Sequence, residues 1–226
     1  MKVDYRIVYS RRRTLGITVE RDGAVIVRAP NGMDESEVHQ LVASKRRWIT
    51  KKIAHPQKYQ QSVPPGKELV SGESMLYLGR SYRVEIIDSS SSSGIEFDQK
   101  FLVPRNVSVQ GREAFRKWYE DAARKKLVPR AEQWAAKLGV QPGHIKVTDV
   151  KYRWGSCTPA GNVSLNWRLI KAPVSVGDYV IVHELAHLLQ PSHDERFWSI
   201  VRSQISRVDS SRTWLRENGQ LLEQDL

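Results

Sequence analysis

The segment that decides the interpretation of the chain is Val182-His183-Glu184-Leu185-Ala186-His187, followed by Leu188-Leu189-Gln190-Pro191-Ser192-His193. In an α-helix, residues four apart lie one above the other on one face, so His183 and His187 can direct both imidazoles at one ion. Glu184 lies about 100° around the helix from His183 and can therefore reach a catalytic water without joining the ligands. The spacing predicts a metal site with a glutamate as general base.

A third ligand is expected downstream, because a catalytic zinc ion usually has three protein ligands and one open position. Pro191 ends the first helix near Gln190, and Ser192 with Glu195 forms a capping-box pattern that predicts a second helix. His193 then lies in the first turn of that helix and is the predicted third ligand for one zinc ion per chain. Glu195 is the alternative ligand, although helix capping explains it adequately.

A metzincin site and a purely structural role for the motif are both disfavoured. The metzincin peptidases share the histidine spacing, but Gln190 stands where their glycine would be, and no methionine follows Met75. A purely structural role is disfavoured because two histidines and a glutamate on so apolar a helix are costly to bury without a metal. The sequence therefore indicates a zinc-dependent hydrolase outside the metzincins.

Residues near the motif supply candidates for stabilising the reacting group. Tyr179 lies one turn before His183 and either lines the pocket or packs in the core. Arg153 and Arg168 precede the helix and can stabilise an oxyanion, although solvent-facing arginines on strands are common. Cys157 has no companion cysteine and is interpreted as a small buried thiol.

The first part of the chain, residues 1–105, is predicted to form a β-rich N-terminal module with a basic helix. Near-helical spacing of apolar residues from Asp34 to Ile53 predicts the helix. Alternation of apolar and polar residues predicts strands at residues 15–19, 25–27, 76–78 and 82–87, the first two forming a hairpin.

Residues 106–226 are predicted to form a zincin-like catalytic domain. A long helix is expected over residues 111–138, with Pro129 kinking or dividing it. Two strands, residues 147–154 and 163–169, are expected before the active-site helix. The predicted fold class is therefore α+β, with the active-site helix packed on a small antiparallel sheet.

The bulk composition is that of a globular protein, with 40% hydrophobic and 27% charged residues. No apolar run approaches the length of a membrane-spanning helix, which predicts no membrane partner. The N-terminus lacks the apolar core of a secretory signal, and a single cysteine excludes an internal disulfide. These features predict a cytoplasmic protein.

The formal net charge of +11 is concentrated at the start of the chain, where the first 60 residues hold 13 lysines and arginines against 6 acidic residues. The densest clusters are Arg11–Arg13 and Lys45–Arg47 with Lys51 and Lys52. A solvated basic face is the simpler interpretation. The alternative is a nucleic-acid partner bound by the N-terminal module.

The chain resembles the YgjP-like metal-dependent hydrolases, which are grouped with the SprT-type and WLM-type zinc peptidases. The stretches that carry the resemblance are Arg153-Trp154-Gly155-Ser156-Cys157, Asn166-Trp167-Arg168-Leu169, Asp178-Tyr179, His183 to His187, and His193 with Phe197-Trp198. The resemblance implies a zincin-type fold, two ligand histidines and a base on the active-site helix, a third histidine downstream, and peptidase activity.

Three functions remain open at this point. The first is a zinc metallopeptidase, in which the strand near Arg153 to Cys157 pairs with an extended peptide. The second is a metal-dependent nucleotide phosphohydrolase, such as a pyrophosphatase, although no phosphate-binding glycine loop supports it. The third is a zinc protease recruited to nucleic acid by its basic module, which is compatible with the first.

Overall fold

The computed structural model describes residues 4–20, 23–53, 66–88, 94–150 and 153–224. The chain folds into two compact units, Met1–Ser62 and Val63–Leu226. Separate clusters of buried apolar side chains fill the two units. Within the described ranges, none of the helices combines the length and the apolar character that crossing a membrane requires.

The first unit is a three-stranded sheet with two helices. Its elements are β1 (Arg6–Ser10), β2 (Gly16–Val19), β3 (Val25–Pro30), α1 (Glu35–Ser44) and α2 (Arg46–Ile53). The predicted hairpin is present, since β2 pairs antiparallel with β3, while β1 pairs with β3 in parallel. The single helix predicted from Asp34 to Ile53 is divided at Lys45, so that α2 is a separate basic helix.

The second unit combines small sheets with helices. Its elements are β4 (Ser74–Tyr77), β5 (Arg80–Ile87), β6 (Glu96–Phe97), β7 (Phe101–Pro104), α3 (Arg105–Ser108), α4 (Gly111–Leu138), β8 (Ile145–Thr148), β9 (Gly155–Cys157), β10 (Val163–Asn166), a 3₁₀ helix (Trp167–Lys171), α5 (Val174–Ala186), α6 (Glu195–Gln204) and α7 (Val208–Glu223). Helix α5 packs against α4, α6, α7 and β9. Helix α4 is continuous and includes Pro129, so this proline does not divide it. The α+β class is confirmed.

The sheet beside α5 is mixed, and the prediction of an antiparallel sheet is wrong in this respect. Its order is β8-β10-β9, with β10 antiparallel to β9 but parallel to β8. The strand predicted over residues 147–154 also ends early, at Thr148. The Asn166 side-chain amide donates to the backbone oxygens of Val150 and Arg153, at 2.7 and 3.2 Å. The Asn166 side chain therefore supplies a donor to two backbone carbonyls that lie beyond the end of β8.

The β4–β5 hairpin is built into the unit that contains α5. At its turn, the Leu78 and Gly79 amides donate to the carbonyls of Ile170 and Lys171, at 2.8 and 3.0 Å. Gly79 has a φ of 81°, and a Cβ there would lie 2.7 Å from the Cα of Pro173, the residue before α5. The compact division therefore falls after Ser62, whereas the sequence pattern placed it after residue 105.

Helix α5 is held on α4 by a charged pair. Its residues from Val176 to Ala186 are all buried, including Asp178. The Asp178 carboxylate accepts from the Arg130 guanidinium, with one Nη2–Oδ2 distance of 2.6 Å, and from the Trp134 indole at 2.9 Å. A buried carboxylate is stable only with such partners, so these bonds fix the position of α5 along α4.

We expect Gly79→Ala to destabilise the protein by more than Gly72→Ala. Both glycines have positive φ, which costs an L-residue about 1 to 2 kcal/mol. A Cβ at Gly72 meets nothing within 4 Å, whereas one at Gly79 collides with the Pro173 backbone. Such overpacking adds about 1 to 3 kcal/mol, measurable by urea unfolding. Equal losses of unfolding free energy in the two variants would show that the backbone at Pro173 moves aside without destabilising the protein.

Candidate metal centre

Three histidines converge at the end of α5. His183 lies in the last turn of α5 and His187 caps its C-terminus, while His193 lies between α5 and α6. One ligand nitrogen from each residue lies within 4.8 Å of the other two. The Nε2 atoms of His183 and His193 are 3.0 Å apart. The structure therefore brings together the three residues predicted as ligands.

The donor set suits a zinc ion. Tetrahedral coordination with Zn–N bonds of about 2.0–2.1 Å places ligand nitrogens about 3.3 Å apart, close to the separation of His183 and His193. Burial lowers the pKa of His187, and its hydrogen bonds to the backbone oxygens of Gln190 and Pro191 oppose this shift. The neutral imidazole is the form that binds a metal, and such backbone acceptors orient metal-binding histidines in proteins.

The three histidines differ in their exposure to solvent. His183 is buried, His187 is half-buried and His193 is exposed. The ring of Phe197, itself fully buried, lies 4.6–4.9 Å from all three imidazoles. Phe197 thus forms the apolar side of the cluster, and the opposite side, at His193, is exposed to solvent.

The segment carrying His193 differs from the prediction in its helix cap. Helix α6 begins at Glu195, and Asp194 is its N-cap, accepting from the Phe197 amide at 3.0 Å. The prediction that Ser192 caps this helix is wrong, because the Asp194 carboxylate occupies that role two residues closer to the buried Phe197. His193 consequently precedes the helix. Glu195 is exposed and does not belong to the histidine group.

Glu184 lies against strand β9, one residue after His183. It is buried, and its Cγ and Oε1 atoms would lie 2.6 and 2.9 Å from a Cβ at Gly155. Burial raises the pKa of Glu184 to about 7, although the charge of Arg153 and a hydrogen bond from the backbone amide of Cys157 both act to lower it. Only a glycine at position 155 leaves room for this carboxylate.

The sequence pattern did not reveal the role of Gly155 as a positioning residue. A glycine within a strand often marks the close approach of another group, and that was the available signal. Cys157, two residues on, is half-buried, and burial followed by the charge of Glu184 raises its thiol pKa. Both residues place β9 directly beside Glu184.

The three other candidates lie in different surroundings. Tyr179 is buried, and its ring centroid lies 5.9 Å from that of His183. Arg153 is close enough for its charge to lower the pKa of Glu184. Tyr179 therefore adjoins the histidine cluster, and Arg153 lies near Glu184.

Arg168 is engaged elsewhere. Its guanidinium forms ion pairs with Asp149 and, at 3.1 Å, with Glu223. It also lies 4.4 Å from the Trp167 ring. Burial raises the pKa of Asp149, but Arg168 and Arg116 outweigh that effect and lower it overall. These contacts favour a structural role for Arg168.

Comparison with known families decides what kind of protein carries this site. A family model described as YgjP-like, metallopeptidase domain, matches residues 13–218, which is most of the chain. The chain belongs to the YgjP-like family. The resemblance found in the sequence is thereby confirmed, and the protein is a metal-dependent hydrolase.

Two solved structures share a limited similarity with the chain. The metallopeptidase zymogen abylysin of Pyrococcus abyssi is 19% identical, with a TM-score of 0.37, over 44% of this chain and 98% of its own. The metallopeptidase zymogen jannalysin of Methanocaldococcus jannaschii is 18% identical, with a TM-score of 0.37, over 42% and 97%. Similarity at this level does not establish a shared fold. A search among curated proteins finds no match.

We expect Gly155→Ala to reduce hydrolysis at least tenfold while the protein keeps its metal and its melting temperature. The new Cβ displaces the Glu184 side chain, which is flexible enough to move, and a displacement of about 1 Å at a reacting group can cost about a hundredfold in rate. Metal content, thermal unfolding and turnover of any substrate of the wild type provide the measurements.

Gly177→Ala is the matched control for this variant. Gly177 lies on α5, and a Cβ there meets nothing within 4 Å. Alanine is favoured over glycine within a helix, so this control should be at least as stable as the wild type. Wild-type turnover in Gly155→Ala would contradict the positioning role.

Proposed function

We propose that this YgjP-like protein is a zinc metallopeptidase with a HExxH-x5-H site. His183, His187 and His193 hold one zinc ion, and Glu184 is the general base. The observation that carries the choice of a peptide substrate is the position of β9, which is one of the two edge strands of its sheet and is the strand next to Glu184. A sheet edge beside the proposed base is a binding surface for an extended backbone.

The edge of β9 offers the substrate a strand partner. In the described part of the chain, β9 pairs only with β10, through Gly155, Ser156 and Cys157. An extended peptide that adds to the other edge forms main-chain hydrogen bonds that do not depend on its sequence. Its backbone then runs alongside the Glu184 carboxylate, which would bring the scissile bond to the proposed base.

The chemistry follows from the placement of Glu184. A bound zinc ion would supply a Lewis acid that polarises the carbonyl and lowers the pKa of water. Glu184 accepts a proton as the water oxygen bonds to the carbonyl carbon. The C–N bond then breaks, and Glu184 returns the proton to the departing amine. Gly155 keeps the carboxylate in position for both transfers.

The variants Glu184→Gln and His183→Ala should separate the base from the ligands. Glutamine keeps the shape of Glu184 but cannot accept a proton, so zinc remains and hydrolysis falls by about a hundredfold or more. His183→Ala, and likewise His187→Ala, removes a ligand nitrogen and should lose the zinc ion. Elemental analysis and cleavage of a peptide library provide the two readouts.

Several outcomes would contradict this assignment. Loss of zinc in Glu184→Gln would make the carboxylate a ligand, and full turnover with zinc bound would remove it from the chemistry. Full zinc retention in both histidine variants would refute the metal site. If nucleoside triphosphates but no peptides are hydrolysed, the phosphohydrolase hypothesis replaces the peptidase.

Recruitment to nucleic acid is a second candidate function, favoured by the surface of α2. Ile49 on this helix is buried in the core of the first unit. Its exposed residues include Arg47, Trp48, Lys51 and Lys52, and the Lys52 ammonium lies 5.9 Å from the Trp48 ring. An exposed tryptophan among cations matches a surface that stacks bases and neutralises phosphates.

We expect reversal of charge at Arg47 and Lys51 to weaken binding of single-stranded DNA by at least tenfold and to reduce its salt dependence, since fewer phosphates are neutralised. The matched control reverses Arg11 and Arg13, exposed cations of the same unit. Fluorescence anisotropy over a salt series measures both. Equal losses of affinity in the two variants would show that binding depends on the overall charge of the unit and not on α2. If the wild type binds no DNA at low salt, the cations of α2 only form a solvated surface.

A further inference from the structure

Arg212, which has no part in the proposed mechanism, is separated from the histidine cluster by the ring of Trp198. Arg212, on α7, places its guanidinium carbon 5.1 Å from the centre of the Trp198 ring. The same ring lies 5.8 Å from the His183 ring and 6.0 Å from the His193 ring. Trp198 therefore connects the guanidinium to two of the three histidines.

The charge of Arg212 also reaches Tyr179 on α5. Burial raises the pKa of the Tyr179 hydroxyl to about 12, and Arg212 acts against that shift. Glu184 acts on the same hydroxyl in the opposite direction. Tyr179 is thus within the influence of both the proposed base and the arginine, which places Arg212 at the margin of the site.

Arg212 keeps most of its hydrogen-bonding capacity. Its side chain is 33% exposed, and the carboxylate it meets, Asp209, is 3.5 Å away and 81% exposed. Such an exposed pair contributes little energy. Arg168 and Arg130, by contrast, bind carboxylates whose side chains are at most 29% exposed. Arg212 therefore differs from the arginines that hold the fold together.

The geometry suits recognition of a carboxylate. The guanidinium of Arg212 lies over the Trp198 ring, and a guanidinium can bind the two oxygens of a carboxylate with two parallel N–H groups. Arg153, whose charge reaches Glu184, contributes a second positive charge near the site.

We infer that Arg212 is a specificity-determining residue that binds a carboxylate of the peptide substrate. The inference rests on the proposed peptidase function and adds the class of peptide: one with an acidic side chain or a free C-terminus close to the cleaved bond. Both sources present the same planar carboxylate to the guanidinium. Trp198 orients the arginine, and Arg212 takes no part in proton transfer.

The test compares synthetic peptides built on a sequence that the wild type cleaves in a peptide library. Each peptide is made with a free or amidated C-terminus, and with glutamate or glutamine near the cleaved bond. Arg212→Gln should raise KM about tenfold or more for peptides with the recognised carboxylate and leave kcat nearly unchanged, because a charge-assisted bond to the substrate is lost. In the wild type, removing the recognised carboxylate should raise KM by the same factor. If amidation does so, the recognised group is the C-terminal carboxylate; if replacement of glutamate by glutamine does so, it is the side chain.

A binding measurement supplies a readout independent of turnover. In zinc-loaded protein carrying Glu184→Gln, adding Arg212→Gln should weaken the Kd of the carboxylate-bearing peptide by the same factor, and that of its neutral analogue much less. Arg216→Gln is the matched control, since it removes an exposed charge from the same helix. Arg212→Lys should restore part of the preference.

Each alternative outcome overturns a separate statement. If the wild type cleaves no peptide, the proposed function fails, and this inference with it. If Arg212→Gln keeps its zinc and the wild-type preference among peptides, Arg212 has no role in specificity. If Arg212→Gln loses zinc or unfolds while Arg212→Lys shows no change in peptide preference, the residue only supports Trp198.

Discussion

The burial of α5 along nearly its whole length is the constraint on which the catalytic unit depends. A helix in this position can carry polar side chains only where each one meets a partner. Asp178 meets Arg130 and Trp134 of α4, and Glu184 lies against β9 with space provided by Gly155. The first half of α5 therefore anchors the helix, and its last turn carries His183 and Glu184.

The residues of the candidate site were predictable from the sequence because their relation is local. Helical periodicity alone places His183 above His187 and turns Glu184 away from them. Around His193, the local sequence pattern did not decide which residue caps the next helix. Ser192 and Asp194 are both good capping residues, and only the structure shows that Asp194 accepts from the Phe197 amide.

Non-local contacts were beyond the reach of the sequence pattern. Alternation located β4 and β5 but gave no indication that their turn bonds to the segment before α5. It also gave no pairing partner for β8, which runs parallel to β10. The need for glycine at positions 79 and 155 arises from atoms far away in the chain. Periodicity describes one element at a time, whereas these contacts depend on how the elements meet.

The unequal burial of the three histidines has a consequence for metal exchange. As the proposed ligands, His183 and His187 would form a preorganised pair, because both lie at the end of α5. His193 belongs to an exposed segment between two helices, so most of the ordering cost of binding falls there. With the ligands proposed above, dissociation is expected to begin with release of His193, and the residence time of the metal would then depend on how firmly Asp194 and Phe197 hold that segment.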